Sequence, residues 1–286
     1  MTIPRSTYVP AAGFEIHVTE WGDPGKPALV MWHGLGRTGR DFDEAAAALS
    51  DTYFVICPDT IGRGLSSWAR RPEEYSYRIY GDTTLGVLDH YGIDRMRWVG
   101  TSMGGLIGVT LAVSRLRDRI THLVINDVGP DIPVAGTDRI ASYVGNPPVY
   151  DTVDELEQWL RKNYAPFGAN SDVFWRRMAD TSSRRTDDGR ITVHYDPAIV
   201  TQFTHHKADL DVWDAYDAVT AEMEPDFRFL KVDTEAEQAL AARYAIRSIP
   251  MLMVFRKGSI LAQRAGAVDR KTLRAWLEQM AMSGAA

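Results

Sequence analysis

Gly100-Thr101-Ser102-Met103-Gly104 stands between a short apolar run, Met96 to Val99, and a stretch with helical spacing that carries Leu106, Ile107 and Leu111. A chain that turns from strand into helix at a single residue needs strained torsions at the apex. Glycines two residues to either side let the two elements pass closely. Such a turn presents the Ser102 hydroxyl at the carboxyl edge of a sheet, with the N–H of Met103 aimed at the same spot. The bland alternative is a glycine-rich turn that includes a serine by chance.

The surrounding pattern supplies the sheet. Phe14 to Trp21 alternates like a half-buried strand, while Ala28 to Trp32 and Tyr53 to Cys57 are continuous apolar runs suited to buried parallel strands. Residues 41–50 and Ser76 to Tyr91 read as helices, and His122 to Ile125 as a further strand. This order predicts a largely parallel sheet covered on both faces. His33-Gly34-Leu35-Gly36 follows the second run, and the Leu35 N–H offers a second oxyanion donor beside Met103, with His33 ordering the loop. Asp59 to Gly64 reads as a tight turn at the same edge.

From about Pro130 to Val219 the chain turns mainly helical. Thr152-Val-Asp-Glu155 is a capping box, Ser171 caps a second helix, Thr186 to Arg190 is turn chemistry before Ile191 to Tyr195, and Asp196-Pro197 opens another helix. Trp159, Phe167, Phe174, Trp175 and Trp213 make this segment aromatic-rich, which suits an apolar pocket or simply the segment's own core. The last 65 or so residues run strand, helix, strand, strand, helix: Phe227 to Val232, Glu235 to Tyr244, Met251 to Phe255, Ser259 to Ala265 and Arg270 to Met280.

Composition narrows the function classes. With 32 Lys+Arg against 38 Asp+Glu in 286 residues, the net charge of −6 excludes a strongly basic nucleic-acid binder, and 45% hydrophobic residues exclude a disordered chain. That is core material for one large domain or one and a half ordinary ones. No run approaches the ~18–20 apolar residues of a membrane span, and the N-terminus lacks a signal-peptide core, so a cytoplasmic protein without a membrane partner is expected. The single cysteine, Cys57, excludes an internal disulfide, a CxxC pair and a cysteine-based metal site. Neither a metal nor an organic cofactor is implied.

Residues 14 to about 130 resemble the core of an α/β-hydrolase-fold enzyme through His33-Gly34, Asp59 with Gly62-Arg63-Gly64, the turn at Ser102 and Ile125 to Pro130. The resemblance implies an α/β fold in three parts: a doubly wound hydrolase core over 1–130, a helical cap over 131–219 and a further segment over 220–286. Tyr195 to Ala198 and Trp213 to Tyr216 look like the cap's return to the core. The implied reaction is attack by Ser102 on a small-molecule ester or related acyl carbon, with water completing turnover.

The C-terminal segment departs from that family. A hydrolase of this kind takes its base from a histidine after the last core strand, and here no histidine follows His206. Phe227 to Asp233, Ala241 to Pro250, Phe255 to Gly258 and Ala265 to Ala267 instead resemble the second half of a thioredoxin, without the CxxC half. The chain therefore reads as a chimera joined near Val219 to Glu222. The strand at Phe227 to Val232 is expected to complete the hydrolase sheet, and the outer hairpin to leave an edge for a second copy, making a homodimer.

Ser102 still needs a base and an orienting acid. Asp127, just past the strand His122 to Ile125, is the first candidate acid, and Asp233 the second. Elimination by position leaves His205 and His206 near the cap's return, with His206 preferred. The readings are a serine esterase acting on small activated esters, with lactone or amide promiscuity, through a non-standard base; a hydrolase-fold binding protein; or another reaction on the same scaffold, such as dehalogenation, which an aspartate in place of Ser102 would favour.

Overall fold

Ala28-Leu-Val-Met-Trp32 and Phe54-Val-Ile-Cys-Pro58 are buried at every residue and form neighbouring parallel strands at the centre of a six-stranded sheet. The computed structural model describes residues 3–130, 132, 134–165, 170–223, 251–256 and 259–265. In chain order the core elements are β1 (Arg5–Ala11), β2 (Phe14–Trp21), β3 (Ala28–Trp32), α1 (Asp43–Leu49), β4 (Phe54–Pro58), α2 (Tyr77–His90), β5 (Met96–Thr101), α3 (Met103–Ala112) and β6 (Ile120–Asn126). The sheet order is β1-β2-β4-β3-β5-β6, with β4, β3, β5 and β6 parallel and the β1–β2 hairpin antiparallel at one side. The α/β expectation holds, and β1 is an addition. Its alternation is diluted by Pro10 and by polar Arg5, Ser6 and Thr7, so periodicity alone does not reveal it.

Alternate side chains of β3 explain the layers. Val30 and Trp32 join the larger cluster with Trp98, Leu106 and Ile107, whereas Leu29 and Met31 join Trp21, Ala46, Val55 and Cys57 on the other face. Trp32 and Trp98 stack at 5.3 Å between ring centroids with planes 9° apart. This pair lies directly beneath the β5–α3 turn. The Ser76 side chain accepts from the Ile79 N–H and starts α2 where the sequence places it.

The cap comprises α4 (Val134–Val144), β7 (Val149–Tyr150), α5 (Val153–Asn163), α6 (Asp172–Ser182), β8 (Ser183–Arg185), β9 (Ile191–Val193), a 3-10 turn at Pro197–Thr201, α7 (Gln202–His205) and α8 (Trp213–Met223). Both expected caps form. Thr152 and Glu155 make the reciprocal capping box of α5, and the Ser171 side chain accepts from the Phe174 N–H at the start of α6. Asp196 opens a 3-10 turn rather than a full helix, its side chain accepting from Ala198 N–H. The cap also contains a small sheet, β7-β9-β8, so it is less purely helical than its composition predicts. Trp175 is buried, Trp159 and Phe174 are half-buried around the same cluster, and Trp213 is exposed. Phe167 lies outside the described residues.

The chain divides into two compact units, Met1–Arg228 and Phe229–Ala286. In the second, β10 (Met251–Arg256) and β11 (Ser259–Ala265) form the expected antiparallel hairpin. The expected strand at Phe227 to Val232, the helices at Glu235 to Tyr244 and Arg270 to Met280, and with them Asp233 and Pro250, lie outside the described residues. Among those described, no helix is long and apolar enough to cross a membrane.

Candidate active site

Ser102 adopts φ 51° and ψ −115° between β5 and α3, a left-handed conformation that a side chain disfavours. Neighbouring glycines make it attainable. A Cβ at Gly100 would run into the Gly104 carbonyl, and one at Gly104 into the Trp32 carbonyl. The Ser102 N–H donates to the Asn126 carbonyl at 2.8 Å, which ties the apex to the end of β6. Its hydroxyl makes no capping bond to α3, so it is not consumed by the helix it precedes.

The loop after β3 lies against this apex. A Cβ placed on Gly34 would sit 3.6 Å from the Ser102 Cβ, close enough that Leu35 and Met103 flank one locus. His33 braces the loop. Its Nε2 accepts from the Thr60 N–H at 2.9 Å, which leaves Nδ1–H to donate to the Gly34 carbonyl at 2.7 Å. Burial pushes the imidazole down to about 4, so it stays neutral and has no free nitrogen to serve as a base.

Arg63 adds a second brace that the tight-turn reading of Asp59 to Gly64 overlooks. The residue is fully buried, and its guanidinium donates to the carbonyls of Leu35 at 2.9 Å and Ile61 at 2.8 Å, to the Tyr80 hydroxyl at 3.0 Å and to the Met103 sulfur at 3.5 Å. The Tyr75 and Tyr80 rings lie 5.6 and 5.2 Å from its guanidinium carbon. An arginine between two glycines beside a tyrosine-rich helix start is the sequence signal for it. Arg63 also meets the cap, because its backbone bridges to Tyr195 and the flanking bonds Gly64 N–H to His194 carbonyl and Asp196 N–H to Gly62 carbonyl are each 2.8 Å.

Asp127 follows Asn126, whose carbonyl holds the Ser102 N–H, and is exposed with φ 57°. Backbone placement therefore brings Asp127 and Ser102 to the same end of adjacent strands. His206 is not brought there. Its Nε2 donates to the Glu73 carbonyl at 2.9 Å and the residue is half-buried, whereas His205 at the end of α7 is exposed. All seven histidines are among the described residues, and none hydrogen-bonds to Ser102. His17 pairs with Asp59 at 2.8 Å, His90 packs edge-on against Tyr91, and His122 is exposed with Nδ1 3.0 Å from the Thr121 hydroxyl. His194 is half-buried on the cap return, and burial holds its imidazole below the usual value.

Comparison with known proteins agrees with this architecture. The family model for the alpha/beta hydrolase fold matches residues 27–171, and that for thioredoxin matches residues 212–279. A 3-hydroxybutyrate-oligomer hydrolase from Cupriavidus necator is 36% identical over 208 residues, covering 70% of this chain and 71% of the relative. A 3-oxoadipate enol-lactonase from Acinetobacter baylyi is 33% identical over 119 residues, 41% of this chain and 43% of the relative. Among solved structures, an alpha/beta hydrolase from Novosphingobium aromaticivorans superposes with a TM-score of 0.68 at 30% identity, covering 77% of this chain and 79% of that one. The chain belongs to the alpha/beta hydrolase fold family and carries a thioredoxin-like segment at its C-terminal end.

Proposed function

We propose that this hydrolase is a serine esterase of slow turnover on small activated esters, with Ser102 as nucleophile and the N–H groups of Leu35 and Met103 receiving the oxyanion. The observation that carries the reading is the strained torsion pair of Ser102, which few sites keep without a use for the exposed hydroxyl. Its Oγ attacks the acyl carbon, the tetrahedral oxyanion gains ~3–4 kcal/mol from each aligned donor, and the alkoxide or phenoxide departs to leave an acyl-serine. Water then releases the acid. Asp127 is the carboxylate we assign beside the nucleophile.

Slow turnover and activated substrates follow from the histidines. His206 would become the base only by exchanging the Glu73 carbonyl for Ser102, and at rest its Nε2 proton is committed to that carbonyl. Without an imidazole on Oγ, the proton leaves through water and the leaving group must carry the barrier. The named activities of two relatives, on a 3-hydroxybutyrate oligomer and an enol-lactone, support acyl–oxygen bonds as the substrate class.

The test is a burst assay with p-nitrophenyl acetate together with fluorophosphonate labelling. One equivalent of rapid p-nitrophenol followed by a slow steady state, absent in Ser102→Ala, is the expected result. Absence of any label on Ser102 would remove the esterase reading. It would favour the second one, a ligand-binding module on a hydrolase scaffold, for which the missing Ser102–imidazole contact is the supporting observation.

A further inference from the structure

The imidazole that Ser102 lacks is hydrogen-bonded to a different serine. Ser6 on β1 has its Oγ 2.7 Å from His17 Nε2, and His17 Nδ1 lies 2.8 Å from Asp59 Oδ2. Among the described residues this is the serine that an imidazole contacts. The three residues come from β1, β2 and the loop after β4, and the sheet itself sets their spacing. Ser6 pairs with Thr19 and Tyr8 with His17, so Ser6 and His17 are diagonal neighbours on one face of an antiparallel pair.

The proton positions follow from Asp59. Its carboxylate is buried and also accepts from the Gly39 N–H at 2.7 Å and the Leu65 N–H at 3.0 Å, so it is a pure acceptor. Burial alone would raise its pKa, but these bonds and the neighbouring histidines hold it below the usual carboxylate range. Nδ1 of His17 must then carry a proton toward Asp59, which leaves Nε2 as the ring nitrogen that faces the Ser6 hydroxyl. The imidazole is about 4% exposed and is covered by the Tyr8 ring at 5.2 Å, whereas Ser6 is exposed on the outermost strand of the sheet. A buried base and orienter serving an exposed hydroxyl is the arrangement that activates a serine.

We propose that Ser6, His17 and Asp59 form a second acyl-accepting site, distinct from Ser102, which reacts with small acyl or phosphonyl donors bearing good leaving groups. In the step, Ser6 Oγ bonds to the acyl carbon, its proton passes to His17 Nε2, the bond to the leaving oxygen breaks, and the leaving alkoxide takes that proton. With a fluorophosphonate, Oγ bonds to phosphorus and fluoride departs. Asp59 stabilises the transient imidazolium. Ser6 sits on a regular strand without the strained apex of Ser102, so only activated donors are substrates.

The experiment is fluorophosphonate labelling of the full chain with the modified peptide mapped by mass spectrometry. Ser102→Ala is expected to take up one equivalent on Ser6, Ser6→Ala/Ser102→Ala none, and His17→Gln/Ser102→Ala at least about tenfold less per unit time. No label on Ser6 in Ser102→Ala overturns the proposal, and labelling of Ser102 in Ser6→Ala reports separately on the esterase reading. Should His17→Gln fail to fold, Ser6→Cys replaces it. A thiol beside this imidazole is expected to react with iodoacetamide roughly tenfold faster than Ser114→Cys, an exposed helix-end control, while buried Cys57 stays silent. Equal rates overturn the proposal as well.

Discussion

The Arg63 guanidinium donates through Nε to the Leu35 carbonyl at 2.9 Å, in a site with no solvent exposure, and so fixes the peptide plane next to the proposed oxyanion donor. Lysine would keep the charge without the planar fork that reaches Leu35, Ile61 and Tyr80 together. Arg63→Met leaves those acceptors buried without donors and is expected to destabilise the fold by about 2–4 kcal/mol. Arg63→Lys is expected to recover most of that loss but to lower kcat on p-nitrophenyl acetate about tenfold with little change in KM. Urea unfolding and steady-state kinetics separate the two effects.

Strain at Ser102 makes a prediction with the opposite sign. Alanine at this position keeps the unfavourable φ of 51°, whereas glycine adopts it freely. Ser102→Gly is expected to be more stable than Ser102→Ala by about 1 kcal/mol, even though glycine loses more chain entropy on folding. Thermal melting of the two variants checks it, and a lower melting temperature for the glycine variant would contradict a strained turn at Ser102.

Acid sensitivity follows from His33. Burial lowers its folded pKa from 6.5 to about 4, so between those values the unfolded chain binds a proton that the native chain refuses. Stability is full above pH 6.5, falls as the pH drops through this window and levels off below about 4, a loss of about 3 kcal/mol. His194, also held low by burial, adds to the slope in the same direction. Asp59 acts only below the ordinary carboxylate value of 3.8, where the unfolded chain begins to protonate before the native one. Denaturant midpoints measured from pH 7 to pH 4 should therefore decline, and His33→Gln should flatten most of that decline.

How far the sequence reaches depends on the range of the interaction. The Ser102 turn, the Thr152–Glu155 box and the Ser171 cap are set within a few residues, and each forms where local chemistry places it. Helix α4 carries Gly136 and β-branched residues that weaken its intrinsic preference, and β7 to β9 are only two or three residues long, too short to show a period. The His17–Asp59 pair spans 42 positions and exists only because β2 and β4 are neighbours. Reading by position passes over His17 as a base, yet β2 runs antiparallel to β4 and sets His17 opposite Asp59 at the carboxyl end of β4, and position says nothing of the serine on the next strand. His206 illustrates the reverse error. Its place near the cap return suggests proximity to Ser102, and only the folded contact with Glu73 reveals where the ring goes.

That contact also sets the last prediction. His206 is half-buried and uses its Nε2 proton on a main-chain carbonyl of the 3-10 turn at Pro72–Glu74, while the Thr201 hydroxyl donates to the neighbouring Pro72 carbonyl at 2.9 Å. Both bonds tether the cap's return to the core surface and neither touches the nucleophile. His206→Ala removes one exposed hydrogen bond, so a stability change below about 1 kcal/mol is expected. Ester turnover should change less than about twofold, since a general base supplies 10²–10⁴-fold and its removal would be unmistakable. The measurement is kcat on p-nitrophenyl acetate for wild type, His205→Ala, His206→Ala and the double variant. A drop of roughly a hundredfold in any of them would mean that the ring leaves Glu73 for Ser102 during turnover, and would restore a histidine-dependent esterase.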